Sequence, residues 1–451
     1  MSMPKIAGTR PSFLNSDRVL AKAVRPIVQF SRIEAAGGIV LVASAAVALV
    51  WANSPWSAGY EALWSTPVRF EIGTYAFRED LGHVVNDLLM AVFFFVVGME
   101  IKRELVTGEL RDRRAVALPV IAALGGMVVP ATIYLAVNAG GDGSAGWGIP
   151  MATDIAFALG IVALLGRRVP GTVKVMLLTL AIVDDIGAIV VIAVFYTDRV
   201  EWNFVLAAAG CAALLAAMHR GRVLYMPVIG LVGLVLWVLV YESGIHATIA
   251  GVVMGLLTPA RPAQPALETE RIIDVLEGDD DLDAEEVRAA AFAIRDSVSA
   301  CDRLIEALHP WTSYVIVPIF ALANAGIALS RESIGSPSRV FVGVFVALVA
   351  GKLIGISAAS WLAVRFGLAR LPAGATWGHV VGVGALGGIG FTVSLFITGL
   401  AFDDPGLVVD AKVGVLLASI TAAGVGAAIF ASTSSTTSQP LVSEPRVRRG
   451  N

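Results

Sequence analysis

Long apolar runs alternate with short polar connections along almost the whole chain. Each run is about as long as a membrane helix needs, roughly 20 residues for a hydrocarbon core of about 30 Å. Twelve such runs can be marked between residues 34 and 431. They form a block of eight at 34–258 and a block of four at 310–431, separated by a polar stretch at 259–309. Residues 1–33 read as a basic cytoplasmic extension and 432–451 as a disordered cytoplasmic tail. The pattern predicts an all-α membrane protein of about twelve transmembrane helices.

Two polar stretches carry patterns of their own. At 66–80, Val68, Phe70 and Ile72 alternate with Arg69 and Glu71, then comes Gly73-Thr74, and the alternation resumes with Tyr75 and Phe77. A period of two on either side of a glycine turn predicts a small extracytoplasmic β-hairpin whose edge can pair with a second copy, so residues 68–77 predict a homodimer. The second stretch carries Glu277, Asp279, Asp280, Asp281, Asp283, Glu285 and Glu286. It is not an EF-hand, because counting from Asp279 the sixth position is Ala284 where glycine is needed and the twelfth is Ala290 where a bidentate Glu is needed. After it, Val287, Ala291, Ile294, Val298, Cys301, Leu304 and Leu308 recur at helical spacing, which predicts an amphipathic helix on the cytoplasmic membrane surface.

Composition agrees with a membrane fold: 57% of residues are hydrophobic and only 15% charged, against roughly 25% charged in an ordinary soluble domain. The net charge of -3 says little, because the placement of Lys and Arg sets topology. With the N-terminus in the cytoplasm, most of the 33 basic residues fall on that side. The other side receives only Arg69, Arg78, Arg199, Arg331, Arg339 and Lys412. This asymmetry predicts both termini in the cytoplasm of a bacterial inner membrane and an even number of spans. The basic start has no apolar core followed by a cleavage site, so no signal peptide is expected. Cys211, within a run, and Cys301, in the polar stretch, are expected to lie too far apart to bridge.

Two runs are internally broken. The fourth, 147–165, begins in Gly146-Trp147-Gly148-Ile149-Pro150 and holds Thr153-Asp154, and the eleventh, 377–402, holds Gly384, Gly387, Gly388 and Gly390 before Phe391-Thr392. Broken helices survive in a membrane only where the freed backbone is buried or lines a cavity. If runs 3–5 and 10–12 are repeats, both breaks fall at the middle member, as in inverted-repeat transporters with a midplane site formed by discontinuous crossing helices.

An ionisable side chain at the centre of a membrane helix costs about 2.5–3.5 kcal/mol on insertion scales, so each one needs a reason. Asp154 lies in run 4, Asp184 and Asp185 in the middle of run 5, and Lys352 in the middle of run 10. Asp87 and the group Glu100, Arg103 and Glu104 lie nearer the ends of run 2. Adjacent residues on a helix point about 100° apart. One carboxylate of the Asp184–Asp185 pair can therefore face a wet cavity and hold a hard cation, which prefers oxygen ligands, while the other is free to pair with Lys352. Desolvation strengthens a carboxylate's hold on a proton, so a proton and Na+ would compete for one site. Such competition is what an antiporter requires.

The strings ATDIAFALG (152–160), AIVDDIGAIVVIAVFYT (181–197), GIHATIAG (244–251), HPW (309–311), FALANAG (320–326), GKLIGIS (351–357) and GGIGFTVSLFI (387–397) occur in that order. Together they resemble the bacterial NhaA family of sodium/proton antiporters from about residue 33 to about residue 430. That family is one of the examples from which the inverted-repeat rule was drawn, so the two indications are not independent. The resemblance implies an electrogenic, pH-regulated antiporter that extrudes Na+, and Li+ with it, against H+ for sodium and pH homeostasis. It makes Asp185 the ion- and proton-binding carboxylate and Asp184 its neighbour at the transported Na+, paired with Lys352. Asp154 would offset the positive helix ends at the crossing and Lys352 the negative ones, with Thr153 lining it. Glu100, Arg103, Glu104 and His309 would belong to a pH-sensing cytoplasmic funnel, with Asp87 behind them.

The chain departs from the family pattern before His309, where Arg303-Leu304-Ile305-Glu306-Ala307-Leu308 lacks a second histidine and the acid beside it. The acidic stretch and the N-terminal extension are additions. His246 reads either as a pH sensor or as a hydrogen-bonded structural histidine. An intramembrane protease is excluded because Asp184 and Asp185 diverge instead of converging across helices, and no HExxH or Gly-x-Ser-Gly string occurs. A channel would show a repeated filter loop. A sodium-coupled organic-solute symporter is the alternative, and the scarcity of polar and aromatic side chains around runs 4 and 11 argues against it. Expected partners are Na+, Li+, H+ and the lipid bilayer, with no cofactor and no nucleic acid.

Overall fold

The computed structural model describes residues 35–433 except 73–74, 112, 198, 222–225, 263–287, 289–295 and 329–336. The N-terminal extension, the hairpin turn Gly73-Thr74, the acidic residues 277–286 and the tail from 434 lie outside the described residues. Among the described residues the chain is almost all helix, and seven helices are long and apolar enough to cross a membrane, or up to ten if three bent pairs each count as one span. The chain is a multi-pass membrane protein.

Helix α1 (Ala35–Ala52) turns through 116° into the short α2 (Ser57–Trp64). Strands β1 (Pro67–Ile72) and β2 (Tyr75–Asp80) then pair antiparallel, with Val68 opposite Glu79 and Ile72 opposite Tyr75. The pairing of the two strands follows from the alternation of apolar and polar residues on either side of Gly73-Thr74. Helix α3 (Leu81–Val106) starts directly from the hairpin, where Asp80 Oδ1 accepts a hydrogen bond from His83 N at 2.7 Å and so satisfies one free donor of the first turn. Then follow α4 (Arg113–Val137), a 310 segment (Asp142–Met151), α5 (Ile155–Leu165), α6 (Gly171–Phe195), α7 (Trp202–Arg220), α8 (Met226–Glu242) and α9 (Thr248–Leu257). The remaining elements are α10 (Ala300–Asn324), α11 (Arg339–Arg365), α12 (Trp377–Leu386), α13 (Phe391–Ala401) and α14 (Pro405–Ser432). The 310 segment and α5 meet at 44°, and so do α12 and α13.

Helix α10 corrects one expectation. The run was expected to begin at 310 or 311, with Cys301, Leu304 and Leu308 on a separate surface helix. The helix instead begins at Ala300, where Ser299 Oγ accepts a hydrogen bond from Asp302 N at 3.0 Å, and runs as one span to Asn324. Cys301 and Ile305 pack against Val96 and Met99 of α3. The apolar stripe therefore meets another helix, and Asp302, Arg303 and Glu306 on the polar face hid this continuation from a hydropathy reading.

Small residues set the closest approaches, as expected where lipid offers no hydrophobic drive between helices. Gly125 of α4 lies against the carbonyl of Gly355 on α11, and a Cβ on either glycine would strike the other helix's backbone. Gly251 and Gly255 of α9 meet the carbonyls of Ala91 and Phe95 on α3 in the same way. Two glycine-packed groups result, one around α4 and α11 and the other around α3 and α9. Large apolar side chains on the outside, such as Val50, Leu206 and Ile420, are 66–70% exposed, as suits a lipid-facing surface. Single π-type turns interrupt α3 at Val85–Leu89, α10 at Thr312–Ile316 and α11 at Ala347–Gly351. The last immediately precedes Lys352, and such bulges often occur where a helix aims a functional side chain.

Candidate functional site

The two bent pairs cross in the interior, and charged side chains converge there. Asp154 is the N-cap of α5: its Oδ1 accepts a hydrogen bond from Phe157 N at 2.9 Å. Its Oδ2 accepts from Thr392 N at 3.1 Å and Thr392 Oγ at 2.7 Å, in the first turn of α13. Its own backbone N–H donates to Ile389 O at 2.7 Å. One buried carboxylate thus caps two half-helices whose N-termini both present partial positive charge.

One of the opposite helix ends meets Lys352 directly. Its ammonium has three protons, and three acceptors surround it: Met151 O at 2.5 Å, Thr153 Oγ at 3.1 Å and Asp184 Oδ2 at 2.6 Å. Met151 closes the 310 segment, so the cation sits at the negative end of a half-helix. Both Lys352 and Asp184 are fully buried. Thr153 Oγ lies 2.7 Å from Asp184 Oδ2 and 2.9 Å from Gly387 O at the end of α12, and its single hydroxyl proton can serve only one of them at a time. Every donor on Lys352 is used, and the freed carbonyls of Ile149, Met151 and Ile389 accept hydrogen bonds from Ser394, Lys352 and Asp154, as a broken helix at this depth requires.

Asp185 is 4% exposed and its Oδ1 is buried with no hydrogen-bond partner in the protein. Asp184 Oδ1 is in the same condition, since both of that residue's bonds fall on Oδ2. An ionised carboxylate has about four acceptor sites, so two open oxygens on adjacent residues can take a hard cation or a proton. The ionisable groups within electrostatic reach of Asp185 are Asp184, Glu100, Asp154 and Lys352. Among the described residues no three His, Cys, Asp or Glu side chains gather as metal ligands.

The other candidates fall elsewhere. Glu100, Arg103 and Glu104 share the last turns of α3, with Arg103 Nη2 3.8 Å from Glu104 Oε1. His309, on α10, lies within electrostatic reach of Arg103, and its Nδ1 is 3.4 Å from Ser313 Oγ. Asp87 does not join this group. It lies in the π-type turn near the hairpin end of α3, about 20 Å from Glu100 at 1.5 Å per residue. His246 Nε2 sits 2.5 Å from Tyr196 O, at the far end of α6 from the charged cluster, a geometry that favours the hydrogen-bonded reading. The sequence reading did not single out Thr392, the carbonyls of Met151 and Gly387, or Ser394, whose Oγ donates to Ile149 O at 2.7 Å. A threonine directly after a glycine-rich break is a helix-start signal that could have pointed to Thr392. Backbone carbonyls leave no such trace.

The chain matches the family described as Na+/H+ antiporter 1 over residues 28–430. It is 47% identical over 417 residues to Na(+)/H(+) antiporter NhaA 3 of Frankia alni, covering 92% of this chain and 90% of that protein. It is 46% identical over 414 residues to Na(+)/H(+) antiporter NhaA of Rhodopirellula baltica, covering 89% and 93%. With the protein of the same name from Anaeromyxobacter sp. it shares 47% over 434 residues, covering 94% and 95%. A match over nearly the full length, with the charged crossing inside it, decides the matter: the chain belongs to the Na+/H+ antiporter 1 family.

Proposed function

We propose that this chain exchanges Na+ for H+ across the bacterial plasma membrane, with Asp185 as the carboxylate for which the two ions compete. The observation that carries the reading is the asymmetry of the adjacent pair. Both residues keep a buried, open Oδ1, but Asp184 alone is tied, through its Oδ2, to Lys352 and Thr153. A buried carboxylate without a cation nearby is expensive in either orientation of a carrier, so the loaded states, protonated or Na+-bound, are the ones that reorient. Asp154 offsets the positive half-helix ends and Lys352 the negative ones, with Thr153 bridging them. Uptake of Na+ by Asp185 and Asp184 weakens the attraction of Asp184 for Lys352, whose proton then leaves. A second proton per Na+ makes exchange electrogenic and sensitive to voltage. Li+, also small and hard, follows Na+. The names of the relatives support antiport over the alternative of sodium-coupled solute symport.

The same reading takes the seven long helices, the two crossing pairs, α1, α8 and α9 as twelve spans. It takes the two crossing pairs as the middle members of inverted repeats, and places both termini in the cytoplasm. Residues 1–33 and 432–451 flank the membrane part, and the stretch from 259 to the start of α10 at Ala300 separates its two blocks of helices. The hairpin side is then extracytoplasmic and 68–77 joins two copies. Glu100, Arg103, Glu104 and His309 form the cytoplasmic group through which pH acts. Everted vesicles with an acid interior, a pH-sensitive dye and successive additions of NaCl, LiCl and KCl test the exchange. Alkalinisation on adding Na+ and Li+ is expected. Na+ entry without proton movement, but with uptake of an organic solute, would sink the reading in favour of symport.

A further inference from the structure

A second polar cluster lies on the hairpin side, away from the charged crossing, where three helices meet. Asn86 sits in the π-type turn of α3, Asn324 ends α10, and Lys412 lies two turns into α14. Asn324 Nδ2 donates to Asn86 Oδ1 at 2.7 Å and to Phe320 O at 3.1 Å, which uses both amide protons. Asn324 Oδ1 accepts from Lys412 Nζ at 3.5 Å. That bond is stretched to the limit of what counts as one. No carboxylate lies within ion-pair distance of Lys412 among the described residues. A lysine in a membrane helix normally reaches a counter-charge or water, so an ammonium held by one long bond to an amide is poised to leave it.

Directly beneath the triad is an aromatic layer. Phe320 is one turn below Asn324 on α10 and Phe94 two turns below Asn86 on α3. Both face Phe396 of the half-helix α13, with ring centroids 6.4 and 5.7 Å away. The three rings are at most 3% exposed. The triad also straddles the two glycine-packed groups: Asn86 lies on α3 and Asn324 on α10, whereas Lys412 is on α14, which packs against α11, α12 and α13. Its hydrogen bonds, with the rings below, therefore join parts that must separate for the crossing to open towards the hairpin side.

We infer that Asn86, Asn324 and Lys412 form the outer gate of the ion path: a hydrogen-bonded latch, seated on the Phe94–Phe320–Phe396 layer, that breaks at Lys412 when the site opens to the hairpin side. The inference rests on the exchange reading above but concerns different residues. Lys412 is suited to the breaking point because its bond is the longest of the three and it alone carries charge. Its positive charge at the mouth also disfavours a second cation while the latch is closed. Once released, Lys412 retreats to water and the departing Na+ passes two neutral amides. None of the three is proposed to bind the ion at the crossing; they act by positioning the helices.

The test uses the full chain with Cys211→Ala, Cys301→Ala and Ala321→Cys, in proteoliposomes. Ala321 is fully buried beside Phe320 and lies one turn under Asn324, so its thiol reports opening of the aromatic layer. Two quantities are followed: Na+-driven proton movement, and the rate of labelling by a membrane-impermeant maleimide added on the hairpin side. Loss of one such hydrogen bond predicts about tenfold faster labelling in Lys412→Met, and loss of both latch bonds a larger increase in Asn324→Ala, with Lys412→Arg close to the parent. Asn86→Asp acts in the opposite direction, since it sets a carboxylate within reach of the latch. It slows both labelling and exchange, a result that general loosening of the fold cannot produce. Equal labelling in all variants, or faster labelling in Asn86→Asp, would overturn the gate. Exchange with flat labelling sinks the gate alone, and ordered labelling in a parent without Na+-driven proton movement sinks the exchange reading alone.

Discussion

Asp184 and Asp185 are adjacent, both buried and both with an open Oδ1, but only Asp184 is paired. The hydrogen bonds from Lys352 and Thr153 fall on Asp184 Oδ2, and Asp185 receives none to its buried Oδ1. Asp185→Asn keeps shape and hydrogen-bonding capacity but can neither take up a proton near pH 7 nor neutralise Na+. Exchange should vanish while yield and melting temperature stay near wild type. A residual rate above about a tenth of wild type in the dye assay would shift the assignment to Asp184. The Lys352 pair makes a separate prediction about stability. Removing one partner of a buried ion pair costs about 3–5 kcal/mol because the survivor stays charged and uncompensated, whereas replacing both can be neutral. Lys352→Ala should melt well below wild type in detergent, and Asp184→Asn with Lys352→Gln should recover much of the loss. Equal melting of the singles, the double and the wild type would remove the pair from the account. If Lys352 carries the second proton, the double variant retains slower exchange that is less sensitive to voltage, which Na+ efflux at imposed potentials would read.

At the scale of elements, Asp154 serves two helices that lie more than two hundred residues apart in sequence. Asp154→Ala should cost about 1–2 kcal/mol for each cap lost, lowering the melting temperature and slowing exchange together. Asp80→Ala also removes an N-cap, that of α3, but far from the crossing. It should cost about 1 kcal/mol and leave exchange intact, so a slowed Asp80→Ala would mean that the readout follows stability alone. The same contrast marks what could be read from the sequence. The burial of Asp154, Asp184, Asp185 and Lys352 was legible, because a charge inside an apolar run has few explanations other than a site. The breaks in the fourth and eleventh runs were legible from glycine and proline. The hairpin followed from its alternation. The π-type turns were not legible, since an extra residue in a helical turn leaves no mark in hydropathy. The true start of α10 was missed because its polar face outweighs its apolar stripe. A family resemblance carries no distances, and the length of α3 sets Asp87 well apart from Glu100.

On the scale of the whole molecule, the hairpin proposed to join two copies is separate in sequence from both crossing pairs, so the proposal predicts that its loss spares exchange. Deleting 68–77 should lower the dimer fraction in native mass spectrometry while exchange in proteoliposomes continues. A dimer that persists in full would take this role from the hairpin. The way the molecule is assembled also bears on how it is made. Every contact that neutralises the crossing is long-range: Asp184 waits for Lys352, 168 residues later, and Asp154 for Thr392, 238 residues later. While the chain is being synthesised, α6 therefore reaches the bilayer with two adjacent aspartates and no counter-charge, at a cost of about 2.5–3.5 kcal/mol for each if ionised. It can meet that cost only by entering protonated or by staying beside water until α11 arrives. A ribosome that stops before residue 352 leaves a helix that the membrane tolerates poorly, and quality-control proteases can recognise it by that defect. Helices made late, α11 and α13, thus supply the partners of the charges buried early.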